Sequence, residues 1–222
     1  MSRIFVTAYP RSGLTWTLRL LSDALSSPVQ NTPDMEPLYH GDRGGEFTLV
    51  KRHSRAREGT TIFVYRDPRD VAVSRMFYYR LPDLTTAIMG MVEGTNGDQF
   101  SPDGVAVGTY REFMATWFHT RLATVEIGYH QLHLAPLWAL KTMIFAATEI
   151  RLPDEKLLAV IERQSFDSYI AANGQEHAMR KGVMGDWQNH FTQDTGKLIT
   201  EHLGDIMIAQ GFIDDLDWWR EL

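Results

Sequence analysis

The N-terminal segment places a short polar loop between an apolar strand and an amphipathic helix, and this unit constrains the fold more than any other part of the chain. Apolar residues 4–6 precede the loop 9–16, which contains Gly13, and the helix-like stretch 17–21 follows. In such a unit, backbone N–H groups at the start of the helix converge on an anion. The Gly-x-x-x-x-Gly-Lys-Ser/Thr pattern of nucleoside triphosphatases is absent from the sequence. The loop therefore predicts a phosphate ligand other than the triphosphate of ATP with magnesium.

Apolar stretches alternate with segments of helical periodicity along the chain. Hydrophobic patterning predicts strands at 3–8, 47–51, 60–65 and 124–129. Helical spacing predicts helices at 15–25, 68–80, 110–122, 136–148 and 154–163. This alternation predicts an α/β fold, in which a central parallel sheet is flanked by helices in three layers, as in P-loop-like nucleotide-binding proteins. We expect a single domain over residues 1–222.

Composition restricts the classes of protein to which the chain can belong. Its 222 residues are 44% hydrophobic, which is enough for one large core, and they contain no cysteine for disulfide or thiolate chemistry. No apolar run approaches the roughly 18 residues that span a bilayer, and the N-terminus lacks a secretion-signal pattern, so we expect a cytoplasmic protein without membrane partners. The net charge of −6 argues against nucleic-acid binding and predicts that basic site residues form a local cluster.

Cationic or polar residues follow all four predicted strands. In order, the clusters are Arg11-Ser12-Gly13, Lys51-Arg52-His53, Arg66-Asp67-Pro68-Arg69-Asp70 and Tyr129-His130. Ligands of parallel α/β sheets bind outside the carboxyl ends of the strands. We therefore expect these side chains to gather at one edge of the sheet and form an anion site there.

Three segments, at 9–16, 66–74 and 180–192, resemble the signature segments of the cytosolic-type sulfotransferases. In addition, Lys51-Arg52-His53 falls where that family carries Lys-x-His, 125–136 resembles its tyrosine-bearing strand and following helix, and 164–166 resembles the segment that closes over adenine. The match covers nearly the whole chain. The resemblance implies that the chain uses 3′-phosphoadenosine 5′-phosphosulfate (PAPS) as sulfuryl donor and releases adenosine 3′,5′-bisphosphate (PAP), with no metal.

The resemblance also implies two anion pockets and an apolar base site. The 5′-phosphosulfate pocket is assigned to Arg11, Ser12, Gly13, Leu14, Thr15 and Trp16. The 3′-phosphate pocket is assigned to Arg66, Ser74, Arg180, Lys181 and Gly182. The adenine site is assigned to Trp16, Tyr129 and Phe166, with Gln164 near the base edge. Each aromatic residue taken singly is as readily a core residue, whereas their joint position beside the phosphate segments favours the base site.

His53 is the predicted general base, because an imidazole with a pKa near 6.5 accepts a proton from an attacking hydroxyl or amine at neutral pH. Arg11 and Lys51 are predicted to stabilise charge on the departing phosphate. Related enzymes generally have lysine at the position of Arg11. Because an arginine pKa lies above about 12, Arg11 contributes charge but no proton. Leu14 replaces a threonine common in the loop, which removes one hydroxyl from the 5′ pocket.

The acceptor is predicted only by class, as a small alcohol, phenol or amine. Residues 81–108 contain five glycines and little sustained periodicity, which predicts a mobile substrate loop. Two alternatives stay open: a small-molecule or nucleotide kinase of the P-loop type, disfavoured by the missing Gly-Lys-Ser/Thr loop, and a catalytically inactive protein that binds adenosine bisphosphate. Residues 193–197 do not reproduce the dimer-forming segment of the animal enzymes, so no oligomeric state is predicted.

Overall fold

The computed structural model describes residues 2–30, 46–53, 59–95, 106–120, 122–173 and 181–222. Within these ranges the strands are β1 (Ser2–Ala8), β2 (Val29–Gln30), β3 (Phe47–Arg52), β4 (Thr60–Tyr65) and β5 (Val125–Gly128). They form one five-stranded sheet in the order β2-β3-β1-β4-β5, and every neighbouring pair is parallel. The predicted α/β fold with a central parallel sheet is confirmed.

Helices connect and cover the strands. They are α1 (Leu14–Leu25), α2 (Pro68–Tyr78), α3 (Leu84–Glu93), α4 (Tyr110–Met114), α5 (Tyr129–Leu134), α6 (Pro136–Thr148), α7 (Asp154–Arg163), α8 (Phe166–Asn173) and α9 (Gln193–Ala209). A π-helical turn at Ala115–His119 and 3₁₀ turns at Asp186–Asn189 and Trp218–Glu221 complete the elements. None of the described helices combines the length and apolar character needed to cross a bilayer.

Side chains alternate between the two faces of the sheet, and each face supports its own hydrophobic cluster. Ile62 and Val64 of β4 pack in a cluster with residues of α1, α5, α6 and α7. Phe63, between them, packs in the other cluster with residues of α2, α3, α4 and α9. Because successive strand residues point to opposite faces, a continuous apolar strand such as β4 buries both of them. The result is the predicted three-layer arrangement.

Helix α3 lies inside the segment predicted as a mobile loop. Ile88 and Met91 of this helix are fully buried, and α3 packs against α2 and α9. Asp83 caps the helix by accepting from the Thr86 amide, and Gly94 ends it in the left-handed conformation. Residues 84–93 are therefore a packed helix and not a loop, while 96–105 lie outside the described residues.

The predicted bounds of α6 and α7 agree with the structure, whereas α5, α8 and α9 were not predicted by periodicity. Helix α9 shows why. Gly196 and Gly204 weaken its helical propensity, and its stability comes from tertiary packing of Ile199, Leu203 and Met207, which are buried. A side chain at 196 would meet Trp219, since a Cβ there would lie 2.6 Å from that residue's Cβ. The glycine therefore serves helix packing.

Candidate functional site

The carboxyl ends of β1, β3, β4 and β5 meet at one edge of the sheet, where they border a cavity of about 550 Å³. Parallel pairing sets this arrangement, for example by aligning Val6 with Lys51 and Ala8 with Val64. Of the predicted site residues, the cavity is lined by Arg11, Gly13, Leu14, Thr15, Trp16, Lys51, His53, Arg66, Ser74, Tyr129, Phe166, Lys181 and Gly182. Residues from distant parts of the sequence thus share one cavity.

Two predicted residues do not line the cavity. Ser12 is buried beside the cavity, and its hydroxyl has no hydrogen-bond partner among the described residues. The side-chain carbonyl of Gln164 accepts from Arg19 at 2.9 and 3.0 Å, and its amide donates to Asp23, so Gln164 faces α1 and does not line the cavity. Arg180 lies outside the described residues.

The loop after β1 turns sharply and leads directly into α1. The Ser12 amide donates to the Tyr9 carbonyl at 3.1 Å, and Arg11 adopts a left-handed backbone conformation with φ of 73°. Gly13 packs so closely on Tyr129 that a Cβ would lie 2.3 Å from the ring. The first amides of a helix have no carbonyl one turn before them, so the start of α1 offers N–H donors to an anion.

Arg11 is directed across the cavity towards α2. Its Nε donates to the Ser74 hydroxyl at 3.2 Å, and its guanidinium lies 4.0 Å from the centre of the Tyr78 ring. The helix α2 therefore passes beside the loop, which brings Ser74 to the cavity although it lies two turns into the helix. An arginine held by a ring and a hydroxyl is a cation with a defined position.

His53 follows β3, and its Nδ1 lies 2.8 Å from the carbonyl oxygen of Ala8, at the end of β1. A carbonyl oxygen only accepts hydrogen bonds, so Nδ1 carries the proton in the neutral imidazole. The lone pair is then on Nε2, which is the state that a general base requires. Lys51, two residues earlier, lines the same cavity.

Arg66 and the segment after residue 180 form the opposite side of the cavity. The Arg66 guanidinium donates from Nη1 to the Arg11 carbonyl at 3.3 Å and from Nη2 to the Val183 carbonyl at 3.0 Å. Lys181 is half exposed, and its Nζ lies 2.8 Å from Asp186 Oδ1. Arg66 thus connects the loop after β1 with the segment that carries Lys181 and Gly182.

Aromatic rings form the apolar walls of the cavity. The Trp16 indole donates to the Gln164 carbonyl at 2.8 Å, and its ring meets Tyr129 edge to face at 5.8 Å. Phe166, at the start of α8, packs against Gly182, where a Cβ would lie 2.5 Å from the Phe166 ring. Burial raises the pKa of Tyr129, which therefore stays neutral. These walls suit a flat heterocyclic base.

Sequence reasoning missed His133 and Asp167, which also line the cavity. His133 lies one helical turn after Tyr129, and the two rings are 4.6 Å apart. Burial, together with the positive charge of Arg66, lowers the pKa of His133, so its imidazole is neutral near pH 7. The i, i+4 spacing from Tyr129 was the available signal, and it required knowing that α5 is a helix.

The cavity is strongly cationic in a chain of net charge −6. Its lining includes Arg11, Lys51, Arg66 and Lys181, against one carboxylate, Asp167, among the described lining residues. Within the described ranges, no group of three or more histidine or acidic side chains is placed to hold a metal ion. Positive side chains and backbone amides beside aromatic walls favour a ligand with separate anionic groups and a flat base.

Comparison with known proteins adds a family relationship. Residues 47–210 match the family described as the sulfotransferase domain. The flavonol 3-sulfotransferase of Flaveria bidentis is 24% identical over an alignment that covers 90% of this chain and 81% of that protein. Sulfotransferase 2A6 of Mus musculus is 24% identical, with 85% of this chain and 78% of that protein covered.

Solved structures share the fold. The mouse sulfotransferase SULT7A1 complexed with PAP aligns with a TM-score of 0.70 and 19% identity, covering 93% of this chain and 84% of that one. A retinol dehydratase in complex with androsterone and inactive cofactor PAP aligns with a TM-score of 0.65 and 15% identity, covering 92% and 80%. The three-layer architecture is therefore the one that these PAP-bound proteins have.

Proposed function

The chain belongs to the sulfotransferase domain family, and on that premise we propose that it transfers a sulfuryl group from PAPS to a hydroxyl or amine of a small acceptor. The single observation that carries the proposal is the meeting of four cationic side chains, an oriented histidine and the rings of one Trp, one Phe and two Tyr around one cavity of about 550 Å³. A mononucleotide with two separate anionic groups matches this set of residues, whereas a magnesium-bound triphosphate needs a different loop.

The donor would occupy both sides of the cavity. Amides at the start of α1 and the Thr15 hydroxyl would hold the 5′-phosphosulfate, with Arg11 beside it. Arg66, Ser74 and Lys181, with the Gly182 backbone and Arg180, would hold the 3′-phosphate. Trp16, Tyr129 and Phe166 would enclose the adenine. Gln164 would contribute its backbone carbonyl, which already fixes the Trp16 indole at 2.8 Å.

His53 would act as general base for the transfer. The acceptor oxygen or nitrogen attacks sulfur in line, a new bond to sulfur forms, and the bond from sulfur to the 5′-phosphate oxygen breaks. The acceptor proton moves to Nε2 of His53, whose Nδ1 proton is held by the Ala8 carbonyl. PAP leaves with the electron pair of the broken bond.

Arg11 and Lys51 would stabilise the charge that develops on the leaving phosphate. Arg11 supplies charge alone, because its guanidinium stays protonated throughout. Its contacts with Ser74 and Tyr78 support this role, since they define the position of the cation before the reaction begins. Electrostatic stabilisation of this kind costs no rearrangement at the moment of transfer.

The acceptor would be a small hydroxyl or amine compound. The name of the Flaveria bidentis relative, a flavonol 3-sulfotransferase, supports a phenolic compound as the first to test. Tyr78 lines the cavity and Phe77 is 41% exposed beside it in sequence, so both are candidates for the acceptor wall. Of the proposed substrate loop 81–108, residues 84–93 are helical and are therefore removed from the proposal.

Two measurements test the proposal. Calorimetric titration compares PAP with ATP–Mg, and a PAPS-dependent transfer assay screens phenols, sterols, amines and sugars. We expect PAP to bind more tightly than ATP–Mg and at least one acceptor to be sulfated. Preference for ATP–Mg would favour a kinase instead. Binding of PAP without transfer to any acceptor would favour an inactive bisphosphate-binding protein.

A further inference from the structure

Asp70 is absent from the described lining of the cavity, yet both of its carboxylate oxygens bond to the segment that follows Lys181 and Gly182. It lies in the first turn of α2 and is only 4% exposed. Its Oδ2 accepts from the Gly185 amide at 2.9 Å, and its Oδ1 accepts from the Trp187 amide at 3.1 Å. Charged acceptors form the stronger hydrogen bonds in proteins, so these two bonds hold the segment firmly.

Arg66 adds a third connection to the same segment. Its Nη2 lies 3.6 Å from Asp70 Oδ2 and donates to the Val183 carbonyl at 3.0 Å. Asp70 therefore orients the Arg66 guanidinium from one side while the Val183 carbonyl holds it from the other. Arg66 Nη1 donates to the Arg11 carbonyl at 3.3 Å, so two nitrogens of the planar guanidinium are held and the directions of its remaining N–H groups are fixed.

These contacts determine where Lys181 and Gly182 lie. Both residues line the cavity. Val183 is the next residue in the chain, and Gly185 and Trp187 follow shortly after it. A shift of these three backbone groups would move the Lys181 ammonium and the Gly182 amide with them. Asp70 contacts two of the three, and it reaches the third through Arg66.

We propose that Asp70 is a positioning residue for recognition of the 3′-phosphate of the nucleotide. It acts on the ligand through Arg66 and the 183–187 backbone and touches no ligand atom itself. The inference rests on the proposed function, because it takes the cationic cavity to be the PAP site. Its consequence is selective: loss of the carboxylate weakens the 3′-phosphate contacts far more than the 5′ side, because the loop after β1 meets this network at the Arg11 carbonyl through Arg66 and does not contact Asp70 itself in the described structure.

Calorimetry of Asp70→Asn with two ligands tests this selectivity. PAP carries both phosphates, whereas adenosine 5′-monophosphate (AMP) lacks the 3′-phosphate. We expect the Kd for PAP to rise about 10- to 100-fold, as for a lost charged hydrogen-bond set, with the Kd for AMP changed by less than about threefold. Asp83→Asn is the matched control, since Asp83 also accepts from a backbone amide, at 2.7 Å, but lies away from the cavity.

The other outcomes separate the two proposals. Equal losses for PAP and AMP, or no loss, would overturn the role of Asp70. A wild-type protein that binds PAP no better than AMP would refute the proposed PAP site itself. Should Asp70→Asn fail to show a cooperative thermal transition, Gly185→Ala replaces it. The Gly185 backbone has a φ of 74°, which strains an alanine, although nothing lies within 4 Å of the added Cβ. The amide should tilt away from Asp70 as a result, and the variant should lose affinity for PAP selectively, as expected for Asp70→Asn.

Discussion

The two sides of the cavity are built in different ways. The β1–β3 side, formed by Arg11, Lys51 and His53, follows from adjacent parallel strands whose ends must meet, and the Ala8 carbonyl fixes the His53 ring at 2.8 Å. The α2 side, formed by Arg66, Lys181 and Gly182, depends on hydrogen bonds between residues more than 100 positions apart. Strand register therefore determines where the residues of the first side lie, whereas a few polar contacts determine the positions of those on the second side.

This difference predicts that the two sides contribute to different steps, one to turnover and the other to nucleotide binding. Substitutions on the β1–β3 side should change turnover, because that side carries the proposed base and charge stabilisers. Substitutions on the α2 side should change nucleotide affinity, because that side is the proposed 3′-phosphate pocket, which is remote from the sulfur of PAPS. A set of variants that fails to divide in this way would contradict the comparison.

The largest effect is expected for His53→Ala. Removal of a general base lowers kcat by about 100- to 10,000-fold, while the Kd for PAP should change by less than about threefold. Steady-state sulfuryl transfer and calorimetry measure the two quantities. His202→Ala in α9 is the control, since it removes a histidine that does not line the cavity. A matching loss of PAP affinity in His53→Ala would place His53 in binding and not in proton transfer.

The next effect concerns the contact between the loop after β1 and Tyr129 at the start of α5. A Cβ in Gly13→Ala would lie 2.3 Å from Tyr129, and the backbone there has φ of 93°. We expect a loss of about 2–4 kcal/mol in the free energy of unfolding, from overpacking and backbone strain together. Urea denaturation measures it.

Gly211→Ala separates these two causes. Its φ is 69°, but nothing lies within 4 Å of its Cβ, so backbone strain of about 1 kcal/mol is expected alone. Equal losses of unfolding free energy in Gly13→Ala and Gly211→Ala would show that the Tyr129 ring moves aside without cost.

A smaller effect is expected for Lys181→Ala on the α2 side. Lys181 is half exposed, so removing its charge should raise the Kd for PAP about 10-fold and leave kcat at saturating PAPS nearly unchanged. Titration at two salt concentrations checks the electrostatic origin, because screening should reduce the difference from the wild type. Lys197→Ala, an exposed lysine of α9, is the charge-matched control. A fall in kcat without a change in the Kd for PAP would contradict the prediction that the α2 side acts on nucleotide affinity alone.

The smallest effect on stability is expected for protonation of His133. Its ring centre lies 4.9 Å from that of Trp16, and the positive charge of Arg66 acts on it electrostatically. Its pKa is lowered in the folded state, first by burial and then by Arg66. In the unfolded chain the His133 imidazole takes up a proton near pH 6.5, whereas in the folded chain it stays neutral to a lower pH. The free energy of unfolding should therefore fall as the pH drops through and below 6.5. His133→Gln should flatten this part of the stability profile, measured by urea denaturation. An unchanged slope would assign the pH dependence to other groups.

Sequence reasoning succeeded where the signal was local. The strands 60–65 and the helices 136–148 and 154–163 were predicted with the bounds that the structure has, because apolar runs and helix-start prolines mark them. The polar and cationic residues after the strands were predicted to gather, and Arg11, Lys51, His53, Arg66 and Tyr129 do line one cavity. Arg52, Arg69 and His130 do not, and Arg52 and Arg69 lie instead over the rings of Phe5 and Trp187. Parallel pairing is a strong constraint, so strand ends are predictable positions.

Sequence reasoning was weaker where packing overrides local preference. Helix α3 was taken for a loop because the surrounding segment 81–108 contains five glycines and little sustained periodicity, yet Ile88 and Met91 bury the helix against α2 and α9. Gln164 was placed at the base edge, whereas Arg19 and Asp23 hold its side chain against α1. Such partners lie more than 140 residues away, so no local pattern reveals them.

Local chemistry alone therefore predicts the α/β class, the N–H donors at the start of α1 and the residue types of the cationic cluster. These properties depend on residue type and short-range spacing, which the chain carries in any context. Tertiary structure alone decides that His53 Nδ1 lies against the Ala8 carbonyl, that Arg11 lies over the Tyr78 ring, and that Asp70 accepts from the Gly185 and Trp187 amides. Each of these depends on hydrogen bonds and ring contacts between distant segments, which exist only once the sheet has brought those segments together.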